Sequence, residues 1–157
     1  MKQFFNLKSL ALLGAIFLFS ELSLAQAQTA NNADATAAEN MVNKGATALR
    51  AQGWRALVEM TAPRKTFVDR DLYLTVYDLD GKCKAHGQNA KQVAKNLINI
   101  KDPDGKLYIK ERVEMAKTQN NFWQEYKYTN PVTKMVQSKR AYCEKVDSLL
   151  ICGGIYK

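Results

Sequence analysis

The amino-acid sequence predicts an α+β domain. In this fold a five-stranded antiparallel sheet carries a long N-terminal helix on one face and short inserted helices on the other. Three observations lead to this prediction. A helix-period apolar stripe runs through residues 36–60. Residues 72–77 alternate like a strand that is covered on both faces. Residues 122–157 divide into three strand-like runs at two turn signals, which is typical of a sheet packed against helices.

The first 27 residues have the composition of a secretory signal peptide, and we expect their removal. Residues 10–19 are ten uninterrupted apolar or small residues that follow Lys8, and Ala25-Gln26-Ala27 is a small-residue cleavage site. The alternative is an uncleaved anchor in the inner membrane, but this run is shorter than the roughly 20 residues that a spanning helix needs. We therefore predict a periplasmic or secreted protein.

The mature chain should begin with a flexible linker at residues 28–35, QTANNADA, and continue as one domain at residues 36–157. Thr36 and Glu39 have the spacing of a capping box, in which each side chain covers a free backbone amide at a helix start. We expect this helix to reach about residue 60, because its apolar residues recur three and four positions apart. The stripe comprises Val42, Ala46, Leu49, Gly53, either Ala56 or Leu57, and Met60.

The middle of the chain predicts two strands and two short helices. Residues 72–77, LYLTVY, form the first strand, and the turn Asp78-Leu79-Asp80-Gly81 leads to a second strand at residues 82–86. Helical pieces are expected at residues 91–97 and 107–118, on either side of an Asp-Pro-Asp-Gly turn.

The last 36 residues predict three strands and a disulfide. Asn130-Pro131 marks the first bend and Val146-Asp147-Ser148-Leu149 the second. A tight hairpin centred on Asp147-Ser148 places Cys143 directly opposite Cys152, at the separation that a disulfide requires. This short loop should add only about 2–3 kcal/mol of stability. Cys83 remains unpaired, and we expect a buried free thiol.

The net charge of +8 indicates a basic surface. Its lysines and arginines are interleaved along a helix and strands, as on ordinary solvated faces, and export makes nucleic acid an unsuitable partner. Small anions are the more suitable ligands. Catalysis is not expected, because His86 is the only histidine and no carboxylate pair is placed for acid–base chemistry. We expect neither a metal nor a cofactor.

Five runs of the sequence closely resemble the single Cache domain of type 2: YLTVYDLDGKCKAHG, LINIKDPDGK, FWQEYKYTNPVTKM, SKRAY and CGGIYK. This family is an extracytoplasmic, PAS-like sensor module of bacterial chemoreceptors, sensor kinases and small secreted proteins. The resemblance covers about Asn40 to Lys157. It implies the fold derived above and a pocket for small organic acids between the sheet and the inserted helices. The chain departs from the family at Arg112, where an apolar residue is usual, and in its cysteine pair.

Candidate ligand-binding residues follow from the resemblance and from the chemistry of the residues themselves. Lys139 and Arg112 are the candidate cations for a carboxylate. The remaining candidates are Tyr142, Trp123, Tyr126, Tyr108 and His86, of which the first four are aromatic pocket walls. Trp123 and Tyr126 are three positions apart, as are Lys139 and Tyr142, so each pair should straddle a regular strand unless a bulge intervenes. The face that forms the pocket therefore stays open, as does the choice between Lys139 and Arg140 for holding the anion.

Two functions from different classes remain. The first is an extracytoplasmic sensor module that binds a small anionic metabolite, a two- to four-carbon carboxylate, and feeds a chemotaxis or sensor-kinase partner in the membrane. The second is an interaction protein that keeps only the Cache scaffold and binds no ligand. A small organic acid that raises the unfolding temperature would distinguish them.

Overall fold

The computed structural model of the protein describes residues 33–62 and 65–157. In chain order they form helices α1 (Ala35–Gln52) and α2 (Trp54–Thr61), strands β1 (Val68–Asp69), β2 (Leu72–Asp78) and β3 (Cys83–His86), helix α3 (Tyr108–Met115), and strands β4 (Asn121–Thr129), β5 (Val136–Val146) and β6 (Leu149–Tyr156). Single turns of 3-10 helix lie at Lys65–Phe67 and Ala90–Gln92. The predicted signal peptide and most of the predicted linker lie outside the described residues.

The sheet is antiparallel, with strand order β1-β2-β6-β5-β4, and β3 also pairs with β2. Five of these strands are the five that the sequence predicts, and the two-residue β1 is an additional strand. Sequential hairpins join β4, β5 and β6, whereas β6 returns to pair with β2. The α+β prediction, with helices on both faces of the sheet, is therefore confirmed.

Helices α1 and α2 cover one face of the sheet, here called the long-helix face. Val42 and Ala46 of α1 pack there with Leu74, Val76 and Ile151 of the strands. The approach is close at Gly45. A Cβ atom on Gly45 would lie 2.5 Å from Ile151 Cδ1 and 2.6 Å from Leu74 Cδ1, so a larger residue would force the ends of these side chains to move.

The predicted single helix is in fact two helices, because the chain breaks at Gly53. Gly53 has φ 55° and ψ −126°, a conformation that an L-residue with a side chain avoids. Its N–H donates to the carbonyl of Leu49 and closes α1 before α2 begins. The sequence analysis assigned Gly53 to the apolar stripe and missed this C-terminal signal.

The start of α1 also differs from the prediction. Asp34, not Thr36, is the N-cap, and its carboxylate accepts a hydrogen bond of 2.8 Å from the Ala37 N–H. The preceding Ala33 is buried, and its N–H donates to Asp71 over 3.0 Å. Ala33 and Asp34, which the prediction placed in the linker, therefore belong to the folded domain.

Helix α3 lies on the opposite face of the sheet, here called the α3 face. The helix predicted at residues 91–97 does not form. After the 3-10 turn, Ala94 takes a positive φ of 70° and the chain runs beside β3. The Cys83 N–H donates to Lys95 O, the Ala94 N–H donates to Cys83 O, and Lys82 forms a bridge with Asn96. This segment therefore forms backbone hydrogen bonds with the edge of β3 instead of the helix that its periodicity predicts.

The hairpin of β5 and β6 follows the predicted register. Asp147 takes a positive φ of 52° in the turn, a conformation that aspartate tolerates better than most residues. Cys143 pairs with Cys152 across the strands, and the two are bonded, with an S–S distance of 2.07 Å. Cys83 is buried and free. No helix within residues 33–62 and 65–157 combines the length and apolar character that crossing a membrane requires.

Candidate functional site

The α3 face gathers tyrosines from three strands and one helix. Alternation along β2 places Leu72, Leu74 and Val76 on the long-helix face and leaves tyrosine side chains on the other. Six of the seven tyrosines in the sequence share the α3 face. We call them the tyrosine cage: Tyr73, Tyr77, Tyr108, Tyr126, Tyr128 and Tyr156. The rings of Tyr108, Tyr126 and Tyr128 are in mutual contact, with the stacked pair of Tyr108 and Tyr126 4.5 Å apart between centroids, and the hydroxyls of Tyr73 and Tyr156 lie 3.4 Å apart.

Lys139 of β5 ends inside the tyrosine cage. The residue is 3% exposed, and its Nζ lies 3.9 Å from the ring centroid of Tyr73 and 4.5 Å from that of Tyr156. Nζ donates a hydrogen bond of 3.1 Å to the Tyr156 hydroxyl. Burial, followed by the charge of Arg112, holds the pKa of Lys139 well below its ordinary value, and the charge of Asp71 only partly opposes this.

The backbone opposite Lys139 is shaped for its side chain. Lys139 pairs with Tyr156, and the neighbouring pair is Ala141 with Gly154. A Cβ atom on Gly154 would overlap Lys139 Cε, so the lysine stem occupies the space that glycine leaves. The Lys139 side chain therefore points toward Gly154 and Ala141. On the next strand, β4, the residue paired with Ala141 is Gln124.

Arg112 of α3 is the second buried cation. It is 1% exposed, and its guanidinium carbon lies 5.2 Å from the ring of Tyr126, 5.6 Å from that of Tyr77 and 5.8 Å from that of Tyr108. Its Nε donates to Gln124 Oε1 over 2.9 Å. Its Nη2 is buried and has no hydrogen-bond partner in the described part of the chain. A buried donor of this kind costs free energy until an acceptor reaches it.

The two cations are not neutralised by the protein. In the described ranges, no carboxylate lies within ion-pair distance of Lys139 or Arg112. Asp71, a buried acid whose charge acts on Lys139, accepts hydrogen bonds from the Ala33 N–H and the Asn130 side chain instead. Two buried basic side chains thus lie in this cage without a carboxylate partner among the described residues.

His86 contacts the tyrosine cage through the ring of Tyr73. It stacks on Tyr73 with centroids 5.3 Å apart, and its Nδ1 accepts the backbone N–H groups of Gln88 and Asn89. Burial and the charge of Lys139 lower the pKa of His86 to about 4, so the imidazole is neutral at pH 7 with its proton on Nε2. Among residues 33–62 and 65–157, no three His, Cys, Asp or Glu side chains are arranged to hold a metal ion.

Comparison with known proteins identifies the fold family. Residues 22–155 match the model of the family described as single Cache domain 2. The chain belongs to this family. The Cache domain also superimposes on the methyl-accepting chemotaxis protein of Vibrio parahaemolyticus with a TM-score of 0.66 and 17% identity, over 88% of this chain and 95% of that one. A structure described as the basis for carboxylic acid recognition by a Cache chemosensory domain gives a TM-score of 0.60 and 20% identity, over 92% and 97% of the two chains.

A curated relative is the sensor histidine kinase MctS of Rhizobium johnstonii. It is 31% identical to the Cache domain over 78 residues, which is 50% of this chain and 17% of the kinase. The chain therefore spans a small part of that relative's length. The family and these relatives are sensor domains of chemotaxis proteins and histidine kinases, and the predicted resemblance is confirmed.

The structure brings together some of the residues that the sequence selects. Lys139, Arg112, Tyr126 and Tyr108 meet in the cage of this Cache domain, and His86 borders it. Pairing between β4 and β5 is regular, so no bulge rotates the residues that are three positions apart. Trp123 and Tyr126 therefore lie on opposite faces of the sheet, as do Lys139 and Tyr142, as the two-residue period of a strand requires.

Trp123 and Tyr142 lie on the long-helix face, away from the cage. Their rings are 5.3 Å apart, and Tyr142 packs on the core beneath α1. The guanidinium of Arg140 lies 4.3 Å from the Trp123 ring on that same face. The structure therefore separates Trp123, Tyr142 and Arg140 from Lys139, in contrast to the ligand set expected from the sequence.

Sequence reasoning missed five residues of the site. Each of them lies an even number of positions along its strand from a residue that faces the cage, or pairs with such a residue on the neighbouring strand. These residues are Tyr73, Tyr77, Gln124, Tyr128 and Tyr156. Applying the two-residue period from Tyr126 would have found Gln124 and Tyr128. Applying it from Tyr156 and across the pairing with β2 would have found Tyr73 and Tyr77.

Proposed function

We propose that this Cache domain is an extracytoplasmic sensor module that binds a small organic acid of two to four carbons in the tyrosine cage. Lys139 and Arg112 hold its carboxylate. The observation that carries the proposal is the pair of buried cations without a carboxylate partner, of which Arg112 Nη2 lacks any hydrogen bond among the described residues. A ligand carboxylate supplies the missing acceptor and the missing negative charge together.

The surroundings of the two cations favour a small anion. Tyrosine rings exclude water from the charges, which strengthens charge-assisted hydrogen bonds, and their hydroxyls offer further donors to ligand oxygens. The cage is tightly filled: Lys139 Nζ already contacts two rings, and two other tyrosines stack at 4.5 Å. Ligands larger than a few carbons would have to displace several of these rings, so short acids suit the site best.

Two comparisons support the same ligand class and the sensor role. One solved relative is described as recognising carboxylic acid. Other relatives are a chemotaxis protein and a sensor histidine kinase, which favours a membrane receptor or kinase as the partner that receives the signal. The disulfide between Cys143 and Cys152 suits an oxidising, extracytoplasmic compartment and thus the proposed periplasmic or secreted location.

The test is titration calorimetry of the purified protein with acetate, propionate, pyruvate and lactate, together with thermal unfolding. Lys139→Met and Arg112→Met should each weaken binding by at least about tenfold, because each removes a buried charge-assisted hydrogen bond. Arg140→Met is the matched control. It removes a cation from the adjacent position of the same strand, but on the opposite face, so binding should not change.

Three outcomes would contradict the proposal. If no acid raises the unfolding temperature at millimolar concentration, the scaffold function without a ligand is favoured. If Lys139→Met and Arg112→Met both bind as the wild type does, the acid is held elsewhere. If Arg140→Met alone abolishes binding, the ligand lies on the long-helix face.

A further inference from the structure

We propose that Gln124 is the positioning residue of this site. It orients the Arg112 guanidinium and leaves its positive charge free for the ligand. This inference rests on the proposed function, since it assigns the residue that prepares Arg112 for a carboxylate. Gln124 is 3% exposed and lies in β4 on the α3 face.

The hydrogen bonds of Gln124 allow one orientation of its amide. Its Nε2 donates to the Tyr108 carbonyl over 2.8 Å and to Glu111 Oε2 over 2.7 Å, which uses both amide hydrogens. Its Oε1 must then point the other way, and there it accepts the Arg112 Nε–H over 2.9 Å. A flipped amide would set donor against donor at Arg112 and acceptor against acceptor at the two oxygens.

This orientation determines which edge of Arg112 is free. With Nε bonded to Gln124, the guanidinium plane is held between the rings of Tyr77, Tyr108 and Tyr126. Nη2 is left buried and without a protein acceptor in the described part of the chain. Gln124 thus turns a flexible side chain into a preorganised donor, which saves the ligand the entropic cost of ordering it.

Gln124 also keeps a nearby carboxylate from neutralising Arg112. Glu111 precedes Arg112 in α3, yet its carboxylate contacts the Gln124 amide and Lys106 Nζ, at 2.7 Å and 2.8 Å. No ion pair joins Glu111 to Arg112 within the described residues. A neutral amide stands between the two charges, so the guanidinium keeps the attraction for an anion that a carboxylate partner would remove.

The experiment compares an anion with its neutral isostere. Propionate and propionamide are titrated into the wild type and into Gln124→Glu, which keeps the side-chain shape and adds a negative charge beside Arg112. We expect Gln124→Glu to lower propionate affinity by at least about tenfold, because the new carboxylate pairs with the guanidinium. Propionamide affinity should change by less than about threefold, since it does not depend on that charge. Gln119→Glu, the same change at an exposed position after α3, is the matched control and should alter neither.

A second measurement does not depend on any ligand. Hydrogen exchange of the Arg112 Nε–H, followed by NMR, should be slow in the wild type and much faster in Gln124→Met, which keeps the size but offers no acceptor. Rapid exchange in the wild type would overturn the positioning role. So would equal losses of propionate and propionamide affinity in Gln124→Glu, or unchanged propionate affinity. If the wild type binds none of the acids, the proposed function fails, and the exchange rate still decides whether Gln124 positions Arg112.

Discussion

Replacing Lys139 with methionine should stabilise the ligand-free protein while it removes acid binding. Methionine nearly matches the lysine stem in size and can lie in the space beside Gly154. The substitution leaves no orphaned hydroxyl, because Tyr156 OH also donates to the Thr129 carbonyl over 3.0 Å. What disappears is a buried amine with no carboxylate partner among the described residues, and releasing its proton on burial costs free energy in the folded state.

The magnitude follows from proton linkage. Burial, and then Arg112, hold the pKa of Lys139 well below its ordinary value in the folded protein. An unfolded lysine keeps its proton up to a pH of about 10.4. Between these two pKa values the unfolded state binds more protons, so the free energy of unfolding of the wild type rises with pH, by up to about 1.4 kcal/mol per unit. Lys139→Met lacks this contribution.

The assay is urea unfolding of both proteins at pH 7, 8 and 9. The variant should be the more stable protein at pH 7, and its advantage should shrink by up to about 2.7 kcal/mol between pH 7 and pH 9. Lys110→Met, at an exposed position of α3, is the control and should follow the pH dependence of the wild type. Parallel pH profiles for the wild type and Lys139→Met, or a variant that is less stable at pH 7, would refute the reasoning.

Two further predictions concern groups that border the site. The pKa of His86 is lowered to about 4 by burial and Lys139, so the unfolded imidazole takes up its proton first as the pH falls. The wild type should therefore lose about 3 kcal/mol of unfolding free energy between pH 6.5 and pH 4 relative to His86→Gln; a constant difference in urea unfolding would contradict this. The Cys143–Cys152 bond closes a loop with a sequence separation of 9. Replacing both cysteines with alanine should cost about 2.5 kcal/mol and lower the unfolding temperature by roughly 10 °C in calorimetry; an unchanged temperature would show that the loop is ordered without the bond.

Local signals predicted most of the fold. Alternation in residues 72–77 gave both faces of β2, and the turn at Asp147-Ser148 gave the register that places Cys143 opposite Cys152. Where the prediction failed, competing interactions were stronger than periodicity. Gly53 broke the long helix through its positive φ, and residues 91–97 paired with the edge of β3.

The candidate site was predictable only in part. Lys139 and Arg112, selected as candidate cations for a carboxylate, lie in one buried cluster, whereas Trp123 and Tyr142 were assigned to the same site across a strand that is regular. Gln124 was not selected, because nothing in its immediate neighbours indicates that its partners are Tyr108, Glu111 and Arg112 on a helix. Contacts of this kind depend on how α3 packs on β4.

Composition, alternation and turn chemistry alone are sufficient to define five of the strands, the register of β5 with β6 and the disulfide of this Cache domain, since each depends on residues close along the chain. They cannot define which of two adjacent cations is the buried one. Lys139 and Arg140 are adjacent cations on β5, and they lie on opposite faces of the sheet. That choice arises when α1 packs on the leucine and valine side of β2 and α3 on the tyrosine side, because burial, the cost of an unpaired charge and the resulting pKa values are properties of the assembled layers.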